Sequence, residues 1–565
     1  MKSLRRLLTV LSLLLLSAVG FVWLNRSVRV DMAGYVPADS LVYIEFNSLT
    51  DLAKTIEQNE TWKSVATAIG SDSKLIDPFW ITMARTGVAP VRSVAFARAQ
   101  MAVVLVGVNS IQEGDTLKIR PEVALVVETH TANWRIRSSA IEAVKTLSNY
   151  AYGQSNCSER TAEAYFVECS SSTTGRKLVG AIDGTVVIVA NSDNAVRACL
   201  DVRSGFRPSL RTDVELARVR DQVRADGALS FGYVSSANVA KIFSWAAPLL
   251  MGKAPGDTQL EELLARSAGK ILKAIAWTSR ASSGTVEDRY LFTLDADVLQ
   301  RLQPAFTTTS VSTDEIWKYV PATVEQLTFY EFNDALAALT AMNSAVASKL
   351  DAVSSIMFSS LLRSSLSVYG IDKPGDILPL LSSPLVTLRA HSTDESSVLL
   401  ARTIDQNRLR HALQSQVVEG GLQIVDGVNG SDIGNQQFSA VLLDGYVVIG
   451  KSESIRSWLD AIRSNEGNAR PSRFKQWQPA GGSVTVTYAN DQSRVNSFVS
   501  AVAAMRGKPL SPEQITAVAD KTKDCSSLTE SKLNGSGIER LTRSSFGQLS
   551  TLLALVQSDT TQRRR

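Results

Sequence analysis

The sequence has few of the residues that metal sites commonly use. Its 565 residues include only three histidines and four cysteines. The histidines, His130, His391 and His411, lie far apart and share no motif, whereas zinc sites need several Cys, His or carboxylate ligands at characteristic spacings. We therefore expect no metal and no cofactor, and ordinary surface positions for the three histidines.

Complete motifs for nucleophiles and phosphates are missing as well. The chain has no Gly-x-Ser-x-Gly elbow, no Gly-x-x-x-x-Gly-Lys loop and no Lys-Thr-Gly element. The segments 71–74 (Ser-Asp-Ser-Lys) and 192–194 (Ser-Asp-Asn) match two elements of penicillin-recognising enzymes, but the Lys-Thr-Gly strand that lines the same pocket is absent. Ser192 also stands where a helix begins, so a helix cap explains it. We predict that the protein is not an enzyme.

A large excess of charge of either sign is missing too. The chain has 59 basic and 55 acidic residues, a net charge of +4. Six of the basic residues, Lys2, Arg5, Arg6 and Arg563 to Arg565, lie at the two ends, and without them 53 basic residues face 55 acidic ones. Nucleic-acid binding needs a basic face that neutralises phosphates, so we expect no nucleic-acid partner. The hydrophobic content of 44% excludes wholesale disorder.

Long apolar runs are limited to one. Leu7 to Leu24 are 18 residues without a charge, which as a helix span about 27 Å, enough to cross the hydrocarbon core. The basic residues before this run keep the N-terminus cytoplasmic. We predict an uncleaved, single-pass anchor in the inner membrane with a periplasmic body. A cleaved signal peptide is the alternative, because Ala18 and Gly20 form a small-residue pair that a signal peptidase accepts.

The rest of the chain contains an internal repeat. Tyr-Val-Pro-Ala occurs at 35–38 and again at 319–322, and Glu-Phe-Asn follows within about ten residues in each case. Further matches keep the same order, among them Asp183-Gly184 with Asp444-Gly445. We infer two homologous repeats. The predicted domains are a cytoplasmic tip and anchor (1–32), a first repeat (33–303), a linker (304–318), a second repeat (319–557) and a basic tail (558–565).

Periods of 2 and 3.6 alternate within each repeat and predict an α+β fold. Hairpins and short helical connections favour a largely antiparallel sheet with packed helices in each repeat. Asp183-Gly184 suits a type I′ turn, which needs two residues with positive φ. The stretch from Ala335 to Leu366 is predicted as one long helix whose apolar stripe packs on the sheet or, alternatively, lines an apolar cavity.

Some polar residues match between the repeats and are the candidate site residues. The pairs are Glu45 with Glu331, Asn47 with Asn333, and Arg289 with Arg540. The carboxylates end a strand, and we expect them to face solvent beside a helix cap, the alternative being that they face a pocket. We expect the arginines to pair with acids such as Asp288 and Glu539.

The four cysteines divide into two kinds. Cys157 and Cys169 flank a strand-like stretch, and a disulfide between them would stabilise this short loop by about 2 to 3 kcal/mol. Cys199 aligns with Trp458 in the other repeat, and Cys525 aligns near Ala274. Large apolar or small residues at matching positions indicate packing, so we predict that these two thiols are core residues.

Several of these elements resemble a known bacterial family. They are the opening Val-Pro-Ala-Asp at 36–39, the Gly-Ile-Asp at 370–372 and the Asp-Gly hairpins. Together they are similar to a family of exported, membrane-anchored proteins that carries a domain of unknown function. The resemblance implies a location in the cell envelope and supplies no catalytic residue. The first repeat departs from the pattern at 88–90, where the acidic residue is absent.

Taken together, these features favour a non-enzymatic, extracytoplasmic binding or structural module that contacts an envelope protein. The alternative is a protein that binds an apolar ligand or a lipid, suggested by the small-residue helix 335–366 and by Ile242 to Met251. An enzyme is the third hypothesis, and it rests only on the remaining polar residues.

Overall fold

A computed structural model describes residues 29–70, 94, 97–113, 116–173, 175–251, 267–308, 315–390, 397–416, 418–430, 432–464, 470–505, 509–548 and 550. The chain divides into two compact units. The first comprises Met1–Asn238, Ala276–Ala281 and Thr560–Arg565, and the second comprises Val239–Ile275 and Ser282–Asp559. The domain limits given above stay a prediction.

The described residues form one mostly antiparallel sheet of 19 strands. Its strands are β1 (Val42–Phe46), β2 (Gln100–Glu113), β3 (Thr116–Glu128), β4 (Ser155–Thr161), β5 (Tyr165–Ser171), β6 (Lys177–Asp183), β7 (Val186–Ala190), β8 (Ser230–Ser235), β9 (Leu272–Ser282), β10 (Thr285–Leu294), β11 (Gln326–Tyr330), β12 (Leu381–Arg389), β13 (Ser397–Thr403), β14 (Leu422–Asp426), β15 (Phe438–Leu443), β16 (Tyr446–Lys451), β17 (Thr485–Asn490), β18 (Ser526–Asn534) and β19 (Gly537–Ser544).

The same residues form 14 α-helices. They are α1 (Leu49–Gln58), α2 (Glu60–Ala68), α3 (Asn133–Tyr152), α4 (Asp193–Arg203), α5 (Val214–Gln222), α6 (Ser236–Met251), α7 (Ala296–Leu302), α8 (Ala335–Ala347), α9 (Ala352–Ser367), α10 (Pro374–Ile377), α11 (Gln406–Gln414), α12 (Ser452–Arg463), α13 (Gln492–Met505) and α14 (Pro512–Thr522).

Strand pairing gives the order within each unit. In the first unit the order is β4-β5-β6-β7-β3-β2-β1-β8, and every pair is antiparallel. In the second it is β10-β19-β18-β17-β11-β12-β13-β16-β15-β14, and β14 and β15 are parallel. The strands that lead into the two Glu-Phe-Asn motifs, β1 and β11, both lie in the interior of their unit.

The predicted fold of two homologous repeats, each with its own sheet, behind one transmembrane helix is wrong. The strands form a single sheet, and two separate repeats are not shown. The physical reason is the antiparallel pairing of β10 with β19 over eight residues. This pairing places the last strand of one predicted repeat beside the last strand of the other. Each edge thereby satisfies backbone groups that would otherwise stay unpaired.

The predicted membrane anchor is also corrected. In the described part of the chain, no helix combines the length and the apolar character needed to cross a bilayer. The longest of these helices, α3, has 20 residues but contains charged residues such as Arg135, Glu142 and Lys145, whereas a span needs about 20 mainly apolar residues. The predicted anchor, Leu7 to Leu24, lies outside the described residues. The transmembrane, signal-anchor and inner-membrane assignments are therefore not retained.

The core of the second unit lies on both faces of its sheet. Along β13, Val398 and Leu400 pack with Trp317 in one cluster, and Leu399 packs with Ile377 in another. Neighbouring residues of a strand point to opposite faces, so this uninterrupted apolar run indicates a strand covered on both sides. In the first unit, α3 covers β5, β6 and β7 through a separate cluster.

The Asp183-Gly184 hairpin differs from its prediction. Asp183 pairs with Val186, so the two loop residues are Gly184 and Thr185. Gly184 has a φ of 60°, and Thr185 is not among the described residues with positive φ. Positive φ at the first loop residue alone is the pattern of a type II′ turn. The predicted type I′ geometry is therefore wrong.

Candidate functional site

A groove in the second unit is the candidate functional site. Its walls are α8, α9 and the segment from Asp372 to Gly375, and its volume is about 440 Å³. Small-molecule pockets usually measure roughly 300 to 1,000 Å³. Its lining includes three leucines and several polar residues, among them Leu336, Leu339, Leu362, Asn343, Arg363 and Lys373.

Two aspartates shape the groove by beginning two helices. Asp334 caps α8, and Asp351 caps α9. Asp351 accepts hydrogen bonds from the backbone N (2.9 Å) and the Oγ (2.7 Å) of Ser354, and so satisfies a helix-start donor. The prediction of one helix from Ala335 to Leu366 is therefore wrong. The chain turns after α8 and returns as α9, which leaves a groove beside the two helices.

The lower part of the groove is apolar and anchored. Leu336 and Leu339 of α8 are half-buried and pack against the cluster that contains Ile377 and Leu409. In contrast, no side chain of α9 is classed as buried. Thus α8 is the inner wall of the groove, fixed on the core, and α9 is its outer wall.

The outward face of α9 is apolar and exposed. Val353 is 68% exposed and Ile356 is 71% exposed. The predicted stripe includes Val353 and Leu361, and its packing on the sheet is wrong for these two residues, which are 68% and 37% exposed. Leu366 at the end of α9 does pack against the core. Nothing in the structure indicates what covers this face, so no function is assigned to it.

The third wall is held in place by one glutamine. Gln416 is 8% exposed, and its Oε1 accepts hydrogen bonds from the backbone N of Asp372 (3.0 Å) and of Lys373 (2.8 Å). Its Nε2 donates to the carbonyl of Ala412 at the end of α11 (3.1 Å). This double acceptance fixes the backbone of the wall, and it positions the base of the Lys373 side chain.

Three charged residues line the groove without partners. Arg363, Asp372 and Lys373 are all exposed. Their side chains form no hydrogen bond or ion pair within the described ranges. The groove therefore combines an apolar floor with two free cations and one free carboxylate.

A lysine links the end of α8 to the start of α7. Lys349, just after α8, lies 2.7 Å from Oδ1 of Asp295 and 2.8 Å from Oδ2 of Asp297. Both acids belong to the start of α7. The hydrogen bond from Lys349, together with one from Lys273, lowers the pKa of Asp295 to about 2.

The predicted site residues are not gathered into one site. Glu45 is 6% exposed and accepts hydrogen bonds at Oε2 from the Tyr43 hydroxyl (2.5 Å) and from Arg220 Nη2 (2.9 Å). Arg220 also donates to Oδ1 of Asp31 (2.9 Å). Burial raises the pKa of Glu45, although Arg220 opposes this effect. The expected solvent-facing position of Glu45 is therefore wrong. Through Arg220, Glu45 on the sheet is linked to Asp31 in the segment before β1.

Glu331 lies in a different environment. It is half-buried, and its pKa is raised by burial and by the nearby Glu530. Glu530 itself is 2% exposed and accepts hydrogen bonds from the backbone N of Ala480 (2.7 Å) and from Arg543 (3.1 Å). The two matched glutamates thus have different partners, so their shared motif does not give them a shared role.

The matched asparagines do not cap the helices. Ser48 caps α1, and Asp334 caps α8. Asn333 donates from Nδ2 to Thr307 Oγ1 (2.7 Å), whereas Asn47 is half-buried and has no side-chain hydrogen bond in the described part of the chain. In both cases the residue after the asparagine caps the helix.

The matched arginines lie on the paired strands β10 and β19. Arg289 forms an ion pair with Glu539 across these strands (2.8 Å) and lies 3.7 Å from Glu287. Arg540 lies directly opposite Tyr290 in the register. No hydrogen bond or ion pair joins any two of the six matched residues among those described.

The cysteines have two environments. Cys157 and Cys169 lie opposite each other on β4 and β5 and form a disulfide. Cys199 is buried and free, and burial raises the pKa of its thiol to about 12. Cys525 is half-buried.

The two histidines in the described ranges, His130 and His411, belong to no metal site. His130 is half-buried, and its Nε2 lies 3.1 Å from Oε1 of Gln100. Burial lowers the pKa of His130. His391 lies outside the described residues. Within the ranges that the structure describes, no group of three or more His, Cys, Asp or Glu residues is placed to hold a metal ion.

Comparison with known proteins gives no match: no protein-family model, no curated protein and no solved structure is similar to this chain at a significant level. The resemblance to the exported family stays a prediction. The candidate site therefore rests on its geometry.

Sequence reasoning finds part of this groove and misses the rest. The small-residue stretch with Leu336 and Leu339 indicates an apolar surface. The polar residues Arg363, Asp372 and Lys373 carry no motif, because the fold brings them together from a helix and a loop. The only signal is the pair of helix-capping aspartates, which could have revealed the break between α8 and α9.

Proposed function

We propose that this protein is a non-enzymatic binding protein whose groove between α8 and α9 holds the apolar part of a small amphipathic ligand. The observation that carries the proposal is the combination of three leucines with free polar groups in one groove of about 440 Å³. Ligand sites are mostly apolar concave surfaces with a few polar groups that fix orientation. Covering apolar surface stabilises a complex by about 25 cal/mol per Å².

The arrangement of the leucines supports this proposal. Leu336, Leu339, Thr340 and Asn343 are spaced three and four residues apart, so they share one face of α8. Leu362 faces the same groove from α9. An apolar chain placed between the helices would therefore contact leucines from both walls.

The proposal is tested by titrating the full chain with N-phenyl-1-naphthylamine, a neutral apolar probe that fluoresces when it leaves water. Leu339→Gln is expected to weaken binding about fivefold, since it removes roughly 1 kcal/mol of apolar contact. Thr340→Phe fills the groove from an exposed position and is expected to weaken binding without disturbing the core.

The matched control is Leu361→Gln, the same change at an exposed residue of α9 outside the groove lining. It should bind the probe as the unaltered chain does. Equal affinity of the unaltered chain and the three variants would contradict the proposal. Binding of a peptide segment of another protein, without binding of the probe, would contradict it as well.

A further inference from the structure

We infer that the ligand of this groove is an anionic amphiphile, a single apolar chain with a carboxylate or phosphate head group that Arg363 and Lys373 bind. The inference rests on the proposed function and specifies the chemistry of the ligand. Its basis is the charge distribution around the groove.

The two cations lie on separate walls. Arg363 is one turn after Ser359 on α9, so both residues lie on the same side of that helix. Ser359 donates a hydrogen bond from Oγ to Oδ1 of Asn343 on α8 (2.8 Å). This contact places Arg363 on the side of α9 that faces α8. Lys373 reaches the groove from the loop that Gln416 fixes.

Both cations are available to a ligand. Neither side chain has an ion-pair partner within the described ranges, in contrast to Lys349, which contacts two carboxylates nearby. An arginine donates in a planar fork that matches a carboxylate or a phosphate, and a lysine adds a compact positive charge. An anionic head group would satisfy both.

The remaining polar groups agree with an anion rather than a cation. Asn343 uses its Oδ1 to accept from Ser359, while its Nδ2 forms no hydrogen bond with any described residue. The groove thus offers a neutral donor beside the two cations. Asp372 is the one carboxylate of the lining, so the local charge is positive by one.

The test is calorimetric titration of the full chain with decanoate, decyltrimethylammonium and decyl maltoside, each below its micelle concentration. These probes share a ten-carbon chain and differ in head-group charge. Decanoate is expected to bind about tenfold more tightly than decyltrimethylammonium, a difference of about 1.4 kcal/mol, because each partly exposed charge pair contributes modestly.

Charge reversal provides the decisive variants. Arg363→Glu combined with Lys373→Glu should reverse the preference between the charged probes and change the affinity for decyl maltoside less than about twofold. Asp372→Asn should raise the affinity for decanoate about threefold. The control Arg408→Glu, an exposed cation on α11 outside the lining, should change none of the three affinities.

The outcomes separate this inference from the proposed function. Equal binding of all three probes, unaffected by charge reversal, would overturn the anion inference and leave the apolar groove intact. Tighter binding of decyltrimethylammonium would overturn it in favour of Asp372 as the anchor. Binding of none of the probes would overturn both statements.

Discussion

At the scale of single residues, the burial of Glu45 is a property that the sequence does not predict. The repeated Glu-Phe-Asn motif singles out this carboxylate, but Arg220 lies 175 residues further along the chain. Their contact depends on the pairing of β1 with β8 and on the packing of α5 against β8. No local pattern in the sequence encodes that arrangement, which is why the burial of Glu45 is missed.

Removing the Glu45 carboxylate should destabilise the first unit. Glu45→Ala leaves the partly buried Arg220 with one carboxylate partner, Asp31, and breaking a buried ion pair costs about 3 kcal/mol. Asp39→Ala removes an exposed ion pair with Arg207, which should cost less than about 1 kcal/mol. Urea unfolding followed by circular dichroism measures both. Equal losses for the two variants would show that Glu45 is not part of a stabilising cluster.

Gly232 on β8 is a second residue whose surroundings come from a distant part of the chain, and the fold leaves no room for a side chain there. A Cβ at this position would lie 2.0 Å from Cε2 of the Trp277 ring, so Gly232→Ala should destabilise the protein by about 3 kcal/mol. In a Trp277→Val background the same change should cost less than about 1 kcal/mol, because the ring is absent. A double-mutant cycle by urea unfolding measures this coupling. Additive effects would contradict the steric explanation.

At the scale of elements, the starts of helices can be predicted from the sequence, because a helix cap depends on residues next to each other in the chain. The aspartates at 334 and 351 begin α8 and α9 in the way that helix caps do. The apolar residues from Leu336 onward keep one helical period across Asp351. This continuous period predicts a single helix and hides the cap at Asp351. The position of α8 against α7 rests on the apolar packing of Ala345 against Leu299 and Leu302 together with the ion pairs of Lys349, and neither local pattern predicts it.

The ion pairs of Lys349 should make the attachment of α8 sensitive to acid. The pKa of Asp295 is lowered to about 2 in the folded state from about 3.9 in the unfolded chain. A carboxylate with a lowered pKa stabilises the fold above its unfolded pKa, and this contribution is lost as the pH falls through the folded value.

Lys349→Met removes this contribution. The urea midpoint of the variant should therefore lie below that of the unaltered chain at pH 5, and the two should converge as the pH falls from about 4 to about 2. Lys318→Met, at a lysine that contacts the rings of Tyr319 and Tyr446, is the control and should not converge in this range. A constant difference for Lys349→Met at every pH would contradict the assigned role of the ion pairs.

At the scale of the whole molecule, the sequence predicts the kinds of elements better than it predicts which strands pair. Alternating periods of 2 and 3.6 predict a largely antiparallel sheet with packed helices, and the strands do form a mostly antiparallel sheet. The pairing of β10 with β19 joins segments about 250 residues apart. Backbone hydrogen bonds between two strand edges and the ion pair of Arg289 with Glu539 hold it, and neither contact follows from a local pattern. The sequence therefore predicts two repeats with a sheet in each, whereas the strands form one sheet.

The binding groove is likewise a property of the whole second unit, since it needs the core under α8, the outer wall α9 and the loop fixed by Gln416. The central claim is that an anionic amphiphile occupies this groove. Hydrogen–deuterium exchange of the full chain, with and without saturating decanoate, tests it most directly. We predict slower exchange in 335–367 and 372–375, and no change in Val42–Phe46. Unchanged exchange in α8 and α9 at a concentration where calorimetry shows binding would contradict the claim.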